Sequence, residues 1–266
     1  MPSISLIVAT YNWPDALNLC LLSIKQQTLL PNEVIVADDG SNDNTKALIY
    51  EMQRDFPVPL IHVWQPDHGF RKSLILNKAI SKASSAYIVQ VDGDVILEKH
   101  FISDHASVAE NGFFIRGTRA HISRFYVEQV LSKKKIDFNY RSLGLEHRFN
   151  ALRLPALAFL IEQKNNKSIG VRGSNLAFWK LDFLAVNGYD NDLTGWGHED
   201  EELAVRFINN NLLRKSVKFK CVQFHLYHPE RSLDRKPLHV SALSYTRRHN
   251  LRSSINGIGD LNTVDL

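Results

Sequence analysis

The chain has 266 residues, 44% hydrophobic and 23% charged, which excludes a disordered polymer and leaves room for one large core. Its two cysteines, Cys20 and Cys221, are too few for a disulfide framework or a thiolate metal cluster, and both read as buried thiols of a reducing compartment. The net charge of +4 is mild and no nucleic-acid-binding motif accompanies it, so no nucleic-acid partner is expected.

The first residues, 1–8, show no basic region and no cleavage pattern, and are expected to enter a strand rather than form a leader. No apolar run approaches the roughly 18–20 residues that span a bilayer. Residues 4–9 read as a strand, followed by a helix opening at Pro14 with Leu17, Leu21 and Ile24 on one face. Residues 33–37 give a second strand, and a helix from about Thr45 carries Leu48, Met52 and Phe56. Residues 60–64 read as a third strand, 72–82 as a helix and 87–91 as a fourth strand ending on Asp92. This alternation predicts an α/β fold, a Rossmann-like and mostly parallel central sheet flanked by helices. Ligands of such sheets bind beyond the carboxyl ends of the strands, where Asp38-Asp39 and Asp92-Gly93-Asp94 fall. The second half is less regular. Residues 113–117, 176–178 and 217–224 read as further strands, a helix follows residue 199, and 118–167 has no clear order.

Asp92-Gly93-Asp94 delivers two carboxylates to a strand end, and residues two apart in an extended segment point the same way. Such oxygens suit Mg²⁺ or Mn²⁺ on a diphosphate, although Asp-Gly is also a common turn pair. At Asp38-Asp39-Gly40-Ser41, a turn with an N-cap at Asp43 or Asn44 explains the residues that follow but not the adjacent carboxylates. One of these could accept a hydrogen bond from a nucleobase imide, with Tyr11 offering a ring for stacking. Gly195-Trp196-Gly197-His198-Glu199-Asp200-Glu201-Glu202 places an aromatic ring between glycines and then four carboxylates before a helix. First-turn acids stabilise a helix by about 0.3–1 kcal/mol each. That accounts for the acids but not for Gly-Trp-Gly, which would let backbone approach a ligand while the indole covers a sugar face. His225 and His228 share a strand end. A histidine there is usually structural, but two beside an acidic pair can complete a metal site. Gly173-Ser174-Asn175 reads as a turn before a strand.

Ile7-Val8-Ala9-Thr10-Tyr11-Asn12, Asp38-Asp39-Gly40-Ser41 and Asp92-Gly93-Asp94 together resemble the family 2 glycosyltransferases of the GT-A fold. Gly173-Ser174-Asn175 and Gly195-Trp196-Gly197-His198-Glu199-Asp200 are similar to the β-1,4-galactosyltransferase and chondroitin-polymerase groups. The resemblance implies inverting transfer from a nucleotide donor, usually a UDP-sugar, to a hydroxyl of a glycan or glycolipid acceptor, with Mn²⁺ or Mg²⁺ as cofactor. It implies that Asp39 holds the uracil, flanked by Tyr11, that Arg71, just after His68-Gly69, approaches the diphosphate, and that Thr10, His68 and Gly69 belong to the donor site. Asp92 and Gly93 would meet the ribose or metal, and Asp94 would bind the metal with His228 and, less directly, His225. Asp200 would be the base and Glu199 would orient the acceptor. Trp196, Gly197, Gly173, Ser174 and Asn175 would border the donor sugar and acceptor. Ala9 departs from the family, which usually has proline there. On this reading, 1–117 is the nucleotide-sugar half, 118–229 the acceptor-binding and catalytic half of the same domain, and 230–266 a basic, polar tail.

Two other classes compete. A sugar-nucleotide pyrophosphorylase should show a Gly-rich phosphate loop with a basic residue after the first strand, where this chain has Ala9-Thr10-Tyr11-Asn12. A non-catalytic module for anionic polymer or lipid would rest on Arg231, Arg235, Lys236, Arg247, Arg248 and Arg252, opposed only by Asp234. An ordinary solvated face is the plainer account of that stretch. Cytoplasmic residence is expected, with any peripheral contact at the inner membrane face made through the basic tail.

Overall fold

The computed structural model describes residues 1–229 and 236–261. Strand β1 (Ile4–Thr10) is buried on both faces, which is why its sequence is continuously apolar rather than alternating. Leu6 and Val8 pack with Leu17, Leu21 and Ile24 of helix α1 (Pro14–Lys25). Ile7 and Ala9 point the other way, onto Ile75, Leu76, Ala79 and Ile80 of α3 (Lys72–Lys82). Between them come β2 (Glu33–Asp38), α2 (Asp43–Gln53) and β3 (Leu60–Trp64). The N-cap of α2 is Asn42, one residue earlier than expected, whose side chain accepts from the Asn44 N–H.

The chain continues through β4 (Tyr87–Asp92), β5 (Val95–Leu97), α4 (Phe101–Val108), β6 (Phe113–Arg116), β7 (Ala120–Ile122), α5 (Arg124–Ser132), β8 (Leu145–Glu146) and β9 (Gln163–Asn165). It closes with β10 (Leu176–Trp179), α6 (Lys180–Ala185), α7 (Glu199–Asn209), β11 (Leu213–Ser216), β12 (Gln223–Leu226) and α8 (Lys236–Arg248). The large sheet has eight strands in the order β3-β2-β1-β4-β10-β6-β11-β9, with the first four parallel. Register does the positioning. Thr10 lies opposite Asp38, and Ala9 opposite Asp92, so both acidic turns leave the sheet at one edge.

A second sheet, ordered β5-β12-β7-β8, stands beside that edge. Val95 pairs with His225, and the Leu226 N–H donates to the Asp94 carbonyl at 2.9 Å. The pairing therefore brings His225 of β12, and His228 just beyond it, to the Asp94 carboxylate that precedes β5.

Two expectations are corrected. Residues 217–224 are not one strand. β11 ends at Ser216, and Phe219 and Cys221 take left-handed φ values of 64° and 52° before β12 begins in the other sheet. The Cys221 N–H donates to Asp104 Oδ2 at 3.1 Å, and this side-chain bond replaces a ladder bond. Nor is residue 236 onward a loose tail. Helix α8 packs on α7, burying His239, Leu243 and Thr246, and Ile258 joins the core beneath α3. Two of those three helix positions are polar, so no hydrophobic stripe announced the helix. Arg247 donates to Ser168 Oγ at 2.8 Å, whereas Arg248 and Arg252 are exposed. Arg231, Asp234 and Arg235 lie outside the described residues. No helix among the described residues is long and apolar enough to cross a membrane.

Candidate active site

The carboxyl ends of β1, β2 and β4 open into a cleft of about 550 Å³. Thr10, Tyr11, Asp39, Asp92, Gly93 and Asp94 line it, so the expected donor residues at the strand ends converge. The two neighbouring aspartates divide. Asp38 is fully buried and structural, 2.9 Å from His62 Nε2, and accepts from the Ser41 N–H. Asp39 faces the cleft and is held by Gln65 Nε2 and the Arg71 backbone N–H, each at 2.7 Å. Burial raises its carboxyl above the ordinary aspartate range despite those bonds. The Tyr11 ring also lines the cleft, its hydroxyl donating to Asp67 at 2.9 Å. At Gly40 φ is +93°, and an added Cβ would lie 2.6 Å from the Asp67 backbone, so only glycine closes this turn.

The cation on the cleft wall is Lys72, not Arg71. Arg71 turns its guanidinium to the Pro66 carbonyl, and His68 and Gly69 lie outside the cleft lining. Lys72 Nζ sits 2.7 Å from Asp92 Oδ1. Burial opposes its charge, but Asp92, Asp200 and Glu199 together hold the ammonium well above the ordinary lysine range. Sequence reading passed over Lys72 because it follows an arginine at a helix start and no spacing marks it.

Asp94 meets both expected histidines. His225 Nε2 is 3.4 Å from Asp94 Oδ1, and His228 Nε2 is 3.2 Å from Oδ2. One ligand atom from each residue falls within a 4.8 Å cluster. His228 Nδ1 lies 2.9 Å from the Pro229 carbonyl, so Nδ1 can hold the ring proton whenever Nε2 takes a ligand. Asp94 Oδ1 and His225 Nδ1 are buried without a hydrogen-bond partner. One oxygen donor, two imidazoles and an orphaned buried oxygen fit a divalent cation. Burial opposes the Asp94 charge, but the His228 bond and both imidazoles bring its carboxyl below the usual range. Asp92 is committed to Lys72 instead of this cluster.

Across the cleft, α7 begins at the acidic run. Asp200 Oδ2 accepts the Gly173 N–H at 2.6 Å, and Oδ1 lies 2.9 Å from the Tyr189 hydroxyl. That hydroxyl is also 3.0 Å from Gln90 Oε1; its single proton has two acceptors, and charge favours Asp200. Burial, then the Asp200 charge, keeps Tyr189 neutral well above the ordinary phenol range. Tyr189 and Gln90 were not singled out in the sequence, though a glutamine inside the apolar run 87–91 was the available signal.

Glu199 is buried beside Asp200 and accepts the Gly197 N–H at 3.1 Å. Burial, then the charge of Asp200, pushes its carboxyl up to about 7. Glu201 and Glu202 have partners beyond the helix dipole. Glu201 lies 2.9 Å from His198 Nδ1, and Glu202 forms a buried pair with Arg206 at 2.6 Å. Trp196 is 40% exposed and lines the cleft, its loop tied down where Gly195 donates to the Phe70 carbonyl. Gly197 packs so closely on His239 that a Cβ would clash with the imidazole. Of the turn at 173–175, Gly173 borders the carboxylate and Ser174 accepts from Arg119. Asn175 turns inward, bridging His105, Thr118 and Cys221, and holds the loops together.

The chain resembles known proteins over most of its length. Residues 5–162 match the model of glycosyl transferase family 2, and residues 161–229 match one described as the N-terminal domain of galactosyltransferase. A validoxylamine A glucosyltransferase of Streptomyces hygroscopicus subsp. limoneus is 27% identical over 223 residues, covering 77% of this chain and 48% of that protein. The chondroitin synthase of Escherichia coli is 24% identical over 254 residues, covering 85% of this chain and 34% of that protein. The chain thus spans about half the length of these relatives or less. Among solved structures, the mannosyltransferase PcManGT of Pyrobaculum calidifontis, in complex with GDP-Man and Mn²⁺, superposes with a TM-score of 0.58 at 17% identity, over 94% of this chain and 72% of that one. S. aureus TarS 1-349 in complex with UDP gives 0.60 at 15% identity, over 93% and 68%. These likenesses show the GT-A fold. With its N-terminal motifs, its sheet order and a family model matched across more than half its length, the chain belongs to glycosyl transferase family 2.

Proposed function

We propose that the protein is an inverting glycosyltransferase that moves a sugar from a UDP-sugar to a hydroxyl of a glycan acceptor, with Asp200 as general base. The observation that carries this is the Asp200 carboxylate, fixed by Tyr189 and Gly173 beside a strand-end cleft that also holds Lys72 and the Asp94 cluster. Asp39 receives the uracil imide and Tyr11 its face. Trp196 covers the donor sugar at the mouth of the cleft. The acceptor oxygen attacks the anomeric carbon from the side opposite UDP; its proton passes to Asp200, and the electron pair of the breaking C–O bond leaves with the diphosphate. Lys72 supplies fixed positive charge on that side, and its bond to Asp92 holds it in place.

Asp94, His228 and His225 would hold Mn²⁺ or Mg²⁺, which when bound neutralises charge on the diphosphate. The mixed imidazole and carboxylate set favours Mn²⁺ over Mg²⁺. Glu199 orients the acceptor through its contact with the Gly197 loop. Incubation with Mn²⁺, an acceptor panel and UDP-sugars, reading UDP release and product, tests the reading. Activity with Asp200→Asn at the wild-type rate would refute it.

A further inference from the structure

The loop that presents Gly173 to Asp200 is flanked by arginines with no carboxylate partner. Arg116 Nε donates to the Gly170 carbonyl at 2.9 Å, and Arg214 to the Ile169 carbonyl at 2.7 Å. Arg119 donates to Ser174 Oγ at 3.3 Å, and Asn150 fixes its backbone carbonyl at 2.9 Å. Arg172 precedes Gly173 and is exposed. All the hydrogen-bond acceptors are neutral, and none of the four forms an ion pair among the described residues. Elsewhere in the chain the arrangement differs: Arg153 pairs with Asp104, and Arg206 with Glu202, at 2.7 and 2.6 Å.

The cluster repels itself. Burial lowers Arg116, and Arg214 and Arg172 lower it further; burial lowers Arg119, and Arg172 and Arg116 add to that. Asp92 and Asp94 act on Arg119 only through space, each being engaged with Lys72 or the histidines. Uncompensated, partly buried guanidinium groups are costly, and a bound anion relieves the cost. The cleft that ends at Lys72 and Asp94 is lined by none of these arginines. Arg119 and Arg172 flank the loop whose Gly173 N–H holds Asp200.

We propose that Arg119 and Arg172, backed by Arg116, bind an anionic group, a carboxylate or phosphate ester, on the acceptor sugar whose hydroxyl faces Asp200. This rests on the transferase reading above. It adds a charge requirement for the acceptor. Arg172 supplies an exposed fork, and Arg119 one whose geometry the Ser174 contact sets.

The test is equilibrium binding of four disaccharide probes in the presence of UDP and Mn²⁺: one ending in a hexuronic acid, its methyl ester, a neutral hexose counterpart and the 6-phosphate of that counterpart. The charged probes are expected to bind about tenfold or more tighter than the ester and the neutral sugar. The comparison of acid with phosphate identifies which anion the site takes. Arg119→Gln and Arg172→Gln should each remove the preference, and Arg119→Lys should keep part of it, all with unchanged UDP affinity. Equal binding of acid and ester would overturn the proposal, as would a parallel loss of UDP affinity in the arginine variants. Charge-selective, arginine-dependent binding alongside full turnover of Asp200→Asn with UDP-sugars would uphold the subsite and refute the transferase reading built on Asp200.

Discussion

The Gly173 N–H meets Asp200 Oδ2 at 2.6 Å, and the same glycine leaves no room for a side chain. An added Cβ would lie 2.6 Å from Asp200 Oδ1 and would also clash with Gln90. A backbone donor and a steric boundary thus fix one carboxylate. Gly173→Ala should lower kcat by about 10²-fold, the cost of a misplaced reacting group, while UDP still binds. Tyr189→Phe removes the second donor and should cost about tenfold. Turnover and UDP affinity of both variants, with circular dichroism to confirm the fold, check this. Wild-type turnover in Gly173→Ala would show that Asp200 needs no such positioning.

The metal cluster predicts an asymmetry between the two aspartates of the Asp92-Gly93-Asp94 turn. Asp94→Ala and His228→Ala should weaken Mn²⁺ binding by at least about tenfold. Asp92→Asn should leave Mn²⁺ affinity nearly unchanged, because that carboxylate serves Lys72. Titration calorimetry with Mn²⁺ in the presence of UDP distinguishes them. An equal loss in Asp92→Asn would place the ion between the two aspartates.

Lys72 and Asp92 are partly buried, with side chains 15% and 24% exposed. Lys72→Met strands the Asp92 charge and should destabilise the fold by about 3 kcal/mol, with a rise in donor Kd. Adding Asp92→Asn should recover much of the stability but not the donor affinity. Urea unfolding and UDP titration separate the two effects.

The raised carboxyl of Glu199 fixes the sign of a pH effect. In the folded chain it titrates near 7, against an ordinary value of 4.5, so the native state holds more protons than the unfolded state between those values. Stability from this group is therefore full below about pH 4.5 and is lost as pH rises toward 7. Glu199→Gln removes the penalty, because glutamine can still accept from the Gly197 N–H. The variant should gain stability over wild type as pH rises from 5 to 8. Urea midpoints across that range that run parallel in the two proteins would contradict the assignment.

Much of this was legible in the sequence where local pattern and tertiary role coincide. The strands and helices up to Asp92 read correctly because β1 and β2 are buried on both faces and α1 and α3 carry clear apolar stripes. Asp39, Asp94, His225 and His228 were singled out because strand ends and the family resemblance mark them, and the structure brings Asp94 together with both histidines. Lys72 and Tyr189 were missed because their roles depend on partners far along the chain: Asp92 for one, Gln90 and Asp200 for the other. The second half resisted reading for the same reason. Its strands are two to four residues long and pair across long separations, so β12 is specified by β5 and β7 more than by its own residues. Helix α8 hid because its buried face is His239, Leu243 and Thr246 rather than a run of aliphatics.

The most direct test of the central claim compares wild type and Asp200→Asn in one assay: Mn²⁺, a panel of UDP-sugars and acceptor glycans, with UDP release and the anomeric configuration of the product both read. Wild type should release UDP and invert the α-linked donor to a β-linked product, and Asp200→Asn should lose about 10²–10⁴-fold in kcat while binding UDP normally. A retained α-linkage, or full turnover without the Asp200 carboxylate, would contradict it.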